Sequence, residues 1–154
     1  MISFCKKILI YKYLIILITL IPNFNNAKEI LIYADNISYD EEQNIIARGN
    51  AKIFQKNQLI ISDLIIYNVD KKEIVLPGNF TFKDNLNNFY NGENGFFSLD
   101  LKNAEFEKPM IKLNDGSRLI GKKIKRDGNI DIISKGVYTP CKSRIKIGNF
   151  ICPT

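Results

Sequence analysis

Two stretches of the chain alternate apolar and polar positions at a period of two, and a shift of 29 residues superimposes them. Ile74, Leu76, Gly78, Phe80 and Phe82 fall on one side of the second stretch, with Glu73, Val75, Pro77, Asn79, Thr81 and Lys83 on the other. In the first, Ile45, Ala47, Gly49, Ala51 and Ile53 hold the equivalent side, against Ile46, Arg48, Asn50, Lys52 and Phe54. Strict alternation puts one row on a buried face and one toward water, which predicts half-buried β-strands. A slip of one residue would turn the whole apolar row to solvent, so the register is well specified. Residues 58–67, rich in Ile and Leu, are predicted to be extended as well. Turns are predicted at Asp40-Glu41-Glu42-Gln43-Asn44, Asp70-Lys71-Lys72, Asp115-Gly116 and Asp127-Gly128-Asn129, because Gly, Asn and Asp tolerate positive φ. Residues 85–94 read as a polar, glycine-containing loop. No 3.6-residue pattern predicts a helix after Ala27.

The strands recur as a repeat. Similar units start at Ala34, Ser62, Gly92 and Gly121, which are 28, 30 and 29 residues apart. A fixed period in this range marks one supersecondary unit packed on copies of itself. Gly49 and Gly78 fall at matching positions, Lys108-Pro109 replaces the glycine in the third unit, and Gly136 restores it in the fourth. A repeated glycine within a strand predicts a bulge or a sharp bend. One unit cannot bury its own apolar row, so the copies are expected to build two facing sheets. Ala47, Gly49 and Ala51 leave room at the centre. The expected filling is the protein's own Phe80 and Phe82; any room left would suit a long acyl chain, at about 0.8 kcal/mol per buried methylene.

Composition changes the picture at the two ends. Lys6, Lys7 and Lys12 precede or interrupt an apolar stretch that Pro22 breaks, and Ala27 follows. Residues 1–27 therefore read as a secretory signal peptide, with an uncleaved anchor as the alternative. Residues 28–117 hold 10 basic and 14 acidic residues, whereas 118–154 hold 9 and 2. That basic end is a solvated face or a binding surface. Within it, Lys122, Lys123, Lys125 and Arg126 are candidate contacts for anionic phosphate. Cys141 and Cys152 follow the leader; in an exported protein such a pair reads as a disulfide and not as catalysis, or else as two free thiols awaiting partners elsewhere. The chain has no histidine, which excludes a Ser-His-Asp triad and a His-ligated metal. Carboxylate pairs for glycoside hydrolysis are not favoured, because Glu41-Glu42 sits in a turn and Asp35 and Asp63 hold repeated positions. The chain is expected to be neither an enzyme nor a binder of cofactors or nucleic acid.

Ala34-Asp35-Asn36-Ile37-Ser38-Tyr39-Asp40, followed by Ala47-Arg48-Gly49-Asn50-Ala51, resembles the opening of the OstA-like domain shared by the lipopolysaccharide transport proteins LptA, LptC and LptD. Asp115-Gly116-Ser117-Arg118-Leu119 and Gly136-Val137-Tyr138-Thr139-Pro140-Cys141 are similar to the end of the periplasmic domain of the LptD family. The resemblance implies an all-β, two-sheet, V-shaped β-jellyroll over residues 28–140, followed by a cysteine-containing segment, 141–154. It implies a periplasmic domain, associated with the outer membrane, that holds lipid A acyl chains in an apolar groove and passes lipopolysaccharide outward. Ile45, Ala47, Ala51, Ile53, Ile74, Leu76, Phe80 and Phe82 would line that groove. Implied partners are lipopolysaccharide, an LptA-like bridge protein joined edge to edge, and an LptE-like lipoprotein only if a barrel is present. Cys141 matches a family cysteine that is oxidised to one in the barrel. Ten residues separate it from Cys152, wider than the family spacing, and an internal Cys141–Cys152 bond is the working expectation. The chain stops at Thr154, so it is expected to be a truncated product or fragment of an LptD. The alternatives are an LptA-like or LptC-like bridge component and a structural β-repeat that binds nothing.

Overall fold

The computed structural model describes residues 30–140. The leader, Cys141 and Cys152, and the expectations placed on them, lie outside the described residues. Within them the chain is antiparallel β-structure: β1 (Leu31–Tyr33), β2 (Asn36–Tyr39), β3 (Ile45–Gln55), β4 (Gln58–Asn68), β5 (Glu73–Lys83), β6 (Phe89–Ser98), β7 (Asn103–Lys112), β8 (Arg118–Ile120), β9 (Lys123–Asp127), β10 (Ile130–Ser134) and β11 (Val137–Thr139). Each long strand pairs with its neighbour in sequence, from β3 through to β7. The short strands come in broken pairs. β1 and β2 both flank β3, β8 and β9 both flank β7, and β10 and β11 pair with β9 and β8.

Every ribbon is interrupted near its middle. Residues 34–35 separate β1 from β2, Gly121 and Lys122 separate β8 from β9, and Lys135 and Gly136 separate β10 from β11. The long strands shift register between Arg48 and Ala51, Ser62 and Ile66, Leu76 and Asn79, and Glu93 and Phe96. Gly49 (φ 76°), Asn50 (46°), Gly78 (96°), Asn94 (52°) and Lys108 (47°) take left-handed backbone at these breaks, where a bulge turns the strand. The 29-residue period of the sequence is therefore two ribbons, measured from one bend to the next but one. Asp35 ties the first bend together: its amide donates to the Gly49 carbonyl (2.9 Å) and its carboxylate accepts from Asn50 Nδ2 (2.9 Å).

The aligned bends fold the sheet into two layers. In the first, Ile53, Ile60, Phe82, Tyr90 and Ile111 stand in register on one face; in the second, Tyr67, Ile74, Phe97 and Ala104 do so. The two rows meet in a single core. Phe82 of the first layer packs edge-on to Phe97 of the second, with centroids 5.3 Å apart, and Phe80 packs on Phe106 at 5.1 Å. This is the expected all-β, V-shaped architecture. Each large side chain fully buried here contributes about 1.5–3 kcal/mol, so apolar burial is what holds the layers together.

Two local expectations differ from the structure. Residues 89–94 lie in β6 and not in a loop; only residues 84–88 turn. Tyr90 and Gly92 fall on the inward row, with Phe89, Asn91 and Glu93 on the outward one, and a Cβ at Gly92 would collide with the Phe106 ring. Glycine is thus retained for a close approach, not for a turn. Gly136 lies between two short strands, where Lys135 carries the positive φ (49°).

Candidate functional site

Seven of the eight positions expected to line a groove face the interior and are at most 4% exposed: Ala47, Ala51, Ile53, Ile74, Leu76, Phe80 and Phe82. Ile45, near the free end of the second layer, is half-buried. The space beside the small residues is taken up by aromatic rings. Phe80 contacts Phe97 as well as Phe106 (5.5 and 5.1 Å), and Phe97 stacks on Phe106 at 5.9 Å. Gly92 and Gly95 let these rings lie against the β6 backbone. The interior is a packed aromatic and aliphatic core.

Open space lies along the side opposite the bends, where the turns of the two layers face each other. There a cavity of about 490 Å³ is bordered by Gln55, Asp84 and Tyr90 of the first layer and by Leu101, Arg126 and Asp131 of the second. The pairing of β9 with β10 brings Arg126 opposite Asp131. Arg126 Nε and Nη2 donate to Asp131 Oδ1 and Oδ2 at 2.7 and 2.8 Å, a bidentate pair. The guanidinium lies over the rings of Tyr90 (4.5 Å) and Phe82 (5.3 Å), both across the gap. The Tyr90 hydroxyl is shared between Asp84 Oδ2 (3.2 Å) and Asp131 Oδ2 (3.1 Å). These five side chains join the layers at the mouth.

The electrostatics agree with that geometry. Burial pushes the Tyr90 phenol well above its ordinary range; Arg126 opposes the shift, and Asp131 and Asp84 add to it. Burial alone would lower the Arg126 pKa, but the hydrogen bond to Asp131 and the neighbouring negative charge raise it. Asp84 has no acceptor capacity to spare. Its oxygens also take the Leu86 and Asn88 amides and Asn88 Nδ2, at 2.8–2.9 Å. Gln55 is different: it is 3% exposed and its Nε2 has no hydrogen-bond partner among the described residues.

The four cations proposed for phosphate are not one cluster. Parity along β9 turns Lys123 and Lys125 outward and Arg126 inward, while Lys122 is exposed in the break before β9. Lys123 is paired with Glu105 on the outer face, which lowers the Glu105 pKa and raises that of Lys123. Of the four, Arg126 alone borders the mouth, and there its charge is engaged by Asp131. Ile124, two residues earlier and fully buried, is the signal that assigns it to the interior row. A second concavity, of about 630 Å³, lies on the outer side of the bend line beside Ile61, Pro109, Met110 and Ile120.

An open-sided pair of β-layers built from consecutive bent ribbons defines the class, a V-shaped all-β jellyroll. The crystal structure of LptH from Pseudomonas aeruginosa has this fold. LptH is described as the LptA-homologous periplasmic component of the conserved lipopolysaccharide transport device. The match covers 82% of this chain and 92% of that one, with a TM-score of 0.57 and 10% sequence identity. No family model matches the chain, and no curated protein matches it.

Proposed function

We propose that the chain is a periplasmic carrier of lipopolysaccharide, one segment of a bridge that hands the molecule toward the outer membrane. The observation that carries this reading is the fold held in common with LptH, combined with an apolar interior that has a cavity at its mouth on the side opposite the bends. Ile53, Ile74, Leu76, Phe80 and Phe82 would receive lipid A acyl chains once the layers part. The outermost ribbons support a bridge. β2 is exposed throughout, and Ile130, Ile132, Val137 and Tyr138 are exposed at the opposite edge. Unpaired edges of this kind accept a partner strand, and an LptA-like neighbour added there would extend the interior from one copy to the next.

An LptA-like or LptC-like bridge component is the form the fold comparison favours. The finer reading, a domain of LptD that feeds an outer-membrane barrel with an LptE-like partner, rests on the motifs at 115–119 and 136–141. The genomic frame beyond Thr154 tests it: alternating segments of about ten residues would be the barrel.

The carrier reading is tested by photocrosslinking in cells that make lipopolysaccharide. A photoreactive residue at 80 or 82 is expected to capture lipid A, and one at the outward position 66 is not. Absence of adducts at both inward positions would leave a structural β-repeat that binds no lipid.

A further inference from the structure

We infer that the outer face of the first layer is a docking surface for a bilayer rich in anionic phospholipid. The inference goes beyond the carrier reading and does not depend on it. Two outward rows cross the strands in the order β1-β3-β4-β5-β6-β7-β8-β11. Leu31, Phe54, Leu59, Lys83, Phe89 and Lys112 stand in register in the row nearer the mouth, which Arg118 and Thr139 complete. Tyr33, Lys52, Ile61, Met110, Ile120 and Val137 stand in the other, with Thr81 and Asn91 between them. Both rows alternate with the buried Ile53, Ile60, Phe82, Tyr90 and Ile111 and so face away from the core. Tyr33, Met110 and Val137 are 54%, 50% and 51% exposed. Single exposed apolar residues are ordinary, but a contiguous set in register marks a surface that is covered in use.

The charges decide what covers it. Neither row holds an acidic residue, and no ion pair among the described residues engages Lys52, Lys83, Lys112 or Arg118. Asp63 and Glu93 stand beyond the second row, at the bend line, where Lys108 pairs with Glu93 at 2.7 Å. Asp115, in the turn beyond the first row, is taken up by the amide and hydroxyl of Ser117. The outer face of the second layer is different, with Glu105 in register with Lys125, and Glu73 and Asp127 also directed outward. Lysine is depleted at the centre of protein–protein interfaces, whereas here it is interleaved with aromatic and aliphatic groups. A lipid surface accepts that mixture. Apolar side chains enter the acyl boundary while lysines keep their ammonium groups among the phosphates. Lys83 Nζ lies 5.7 Å from the centroid of the Phe89 ring, so cation and apolar contact share one spot.

The test uses the full chain with one fluorescent amino acid, at 89 or 110 on this face or at 96 or 132 on the outer face of the second layer. The vesicles are phosphatidylglycerol and phosphatidylcholine in equal parts, or phosphatidylcholine alone. All four positions are exposed, so a tether elsewhere in the chain would bring the molecule to the bilayer without choosing between the faces. With phosphatidylglycerol present, the labels at 89 and 110 are expected to shift to the blue and to be quenched by lipid-borne quenchers. Those at 96 and 132 should stay as in water. Lys83→Gln with Lys112→Gln should raise the lipid concentration needed at 110 about 25-fold, at about fivefold per lysine. Lys125→Gln should change it by less than about twofold. If the double variant fails to fold, salt decides on the natural chain: the response at 110 should be lost between about 50 mM and about 500 mM. Equal responses on both faces, a response only at 96 and 132, or one as strong with phosphatidylcholine alone overturns the inference. No response at any position overturns it as well and leaves the face to a protein. The vesicles hold no lipopolysaccharide, so each of these results leaves the carrier reading standing, and absent adducts at 80 and 82 would leave this inference standing.

Discussion

Arg126 has the densest set of interactions at the mouth, and removing it should cost more than any surface lysine. A buried ion pair that loses one member leaves the other uncompensated. The Asp131 side chain is a quarter exposed, which reduces that penalty. Arg126→Leu is therefore expected to destabilise by about 2–4 kcal/mol in urea denaturation, and Lys125→Leu by less than about 0.5. Tyr90 supplies a pH signature. Its folded-state pKa lies above its ordinary value near 10 because burial disfavours the phenolate. Its contribution is therefore fully present below about pH 10 and is lost as pH rises through the folded-state value. The stability of the natural chain should fall more steeply above pH 10 than that of Tyr90→Phe, with lysine titration common to both. At this scale the sequence was legible where side chains alternate without interruption. At Arg126 the inward parity was legible only from Ile124, and the partner across the turn, Asp131, was not. Gln55 carried no signal, since an orphaned donor exists only once the fold is formed.

At the scale of the elements, the bends separate two kinds of glycine. A Cβ at Gly78 meets nothing within 4 Å, so its role is its φ of 96°; a Cβ at Gly95 would lie 2.7 Å from the Phe80 ring. Gly78→Ala should cost about 1–2 kcal/mol through backbone conformation alone. Gly95→Ala should cost about 1–3 kcal/mol through overpacking, and shortening Phe80 to Leu in the same chain should recover part of it. The same variant with Gly78→Ala should recover nothing, and equilibrium unfolding of the four chains checks both statements. The repeat was visible as a period of 29 because bulge positions tolerate few residue types. Gly92 misled the reading of 85–94, since a glycine among asparagines has the composition of a turn. What fixes it in β6 is Phe106, fourteen residues away along the chain and on the neighbouring strand β7, whose ring lies against it.

At the scale of the whole molecule, neither edge of the folded sheet has a partner strand among the described residues, and both carry exposed apolar side chains, among them Ile37 and Tyr39 on β2. The isolated chain is expected to associate edge to edge as concentration rises. Ile37→Lys with Tyr39→Lys should hold it monomeric in sedimentation analysis without altering the unfolding midpoint by more than a few degrees. Persistence of the assemblies would place the contact elsewhere. The layer architecture was predictable from the alternation and the repeat together. Filling of the interior by Phe80 and Phe82 was legible as well; the rings they meet, Phe97 and Phe106, were not, because Ala47 and Ala51 do not reveal which side chains cross from the other layer.

The alignment of the bends has a mechanical consequence. Ladder hydrogen bonds run from ribbon to ribbon, along the line on which every ribbon turns. Swinging the layers apart about that line is like opening a book at its spine: each page stays bound to the next, and no ladder bond need break. The work of parting falls on the clasp at the far side and on the rings pressed between the covers.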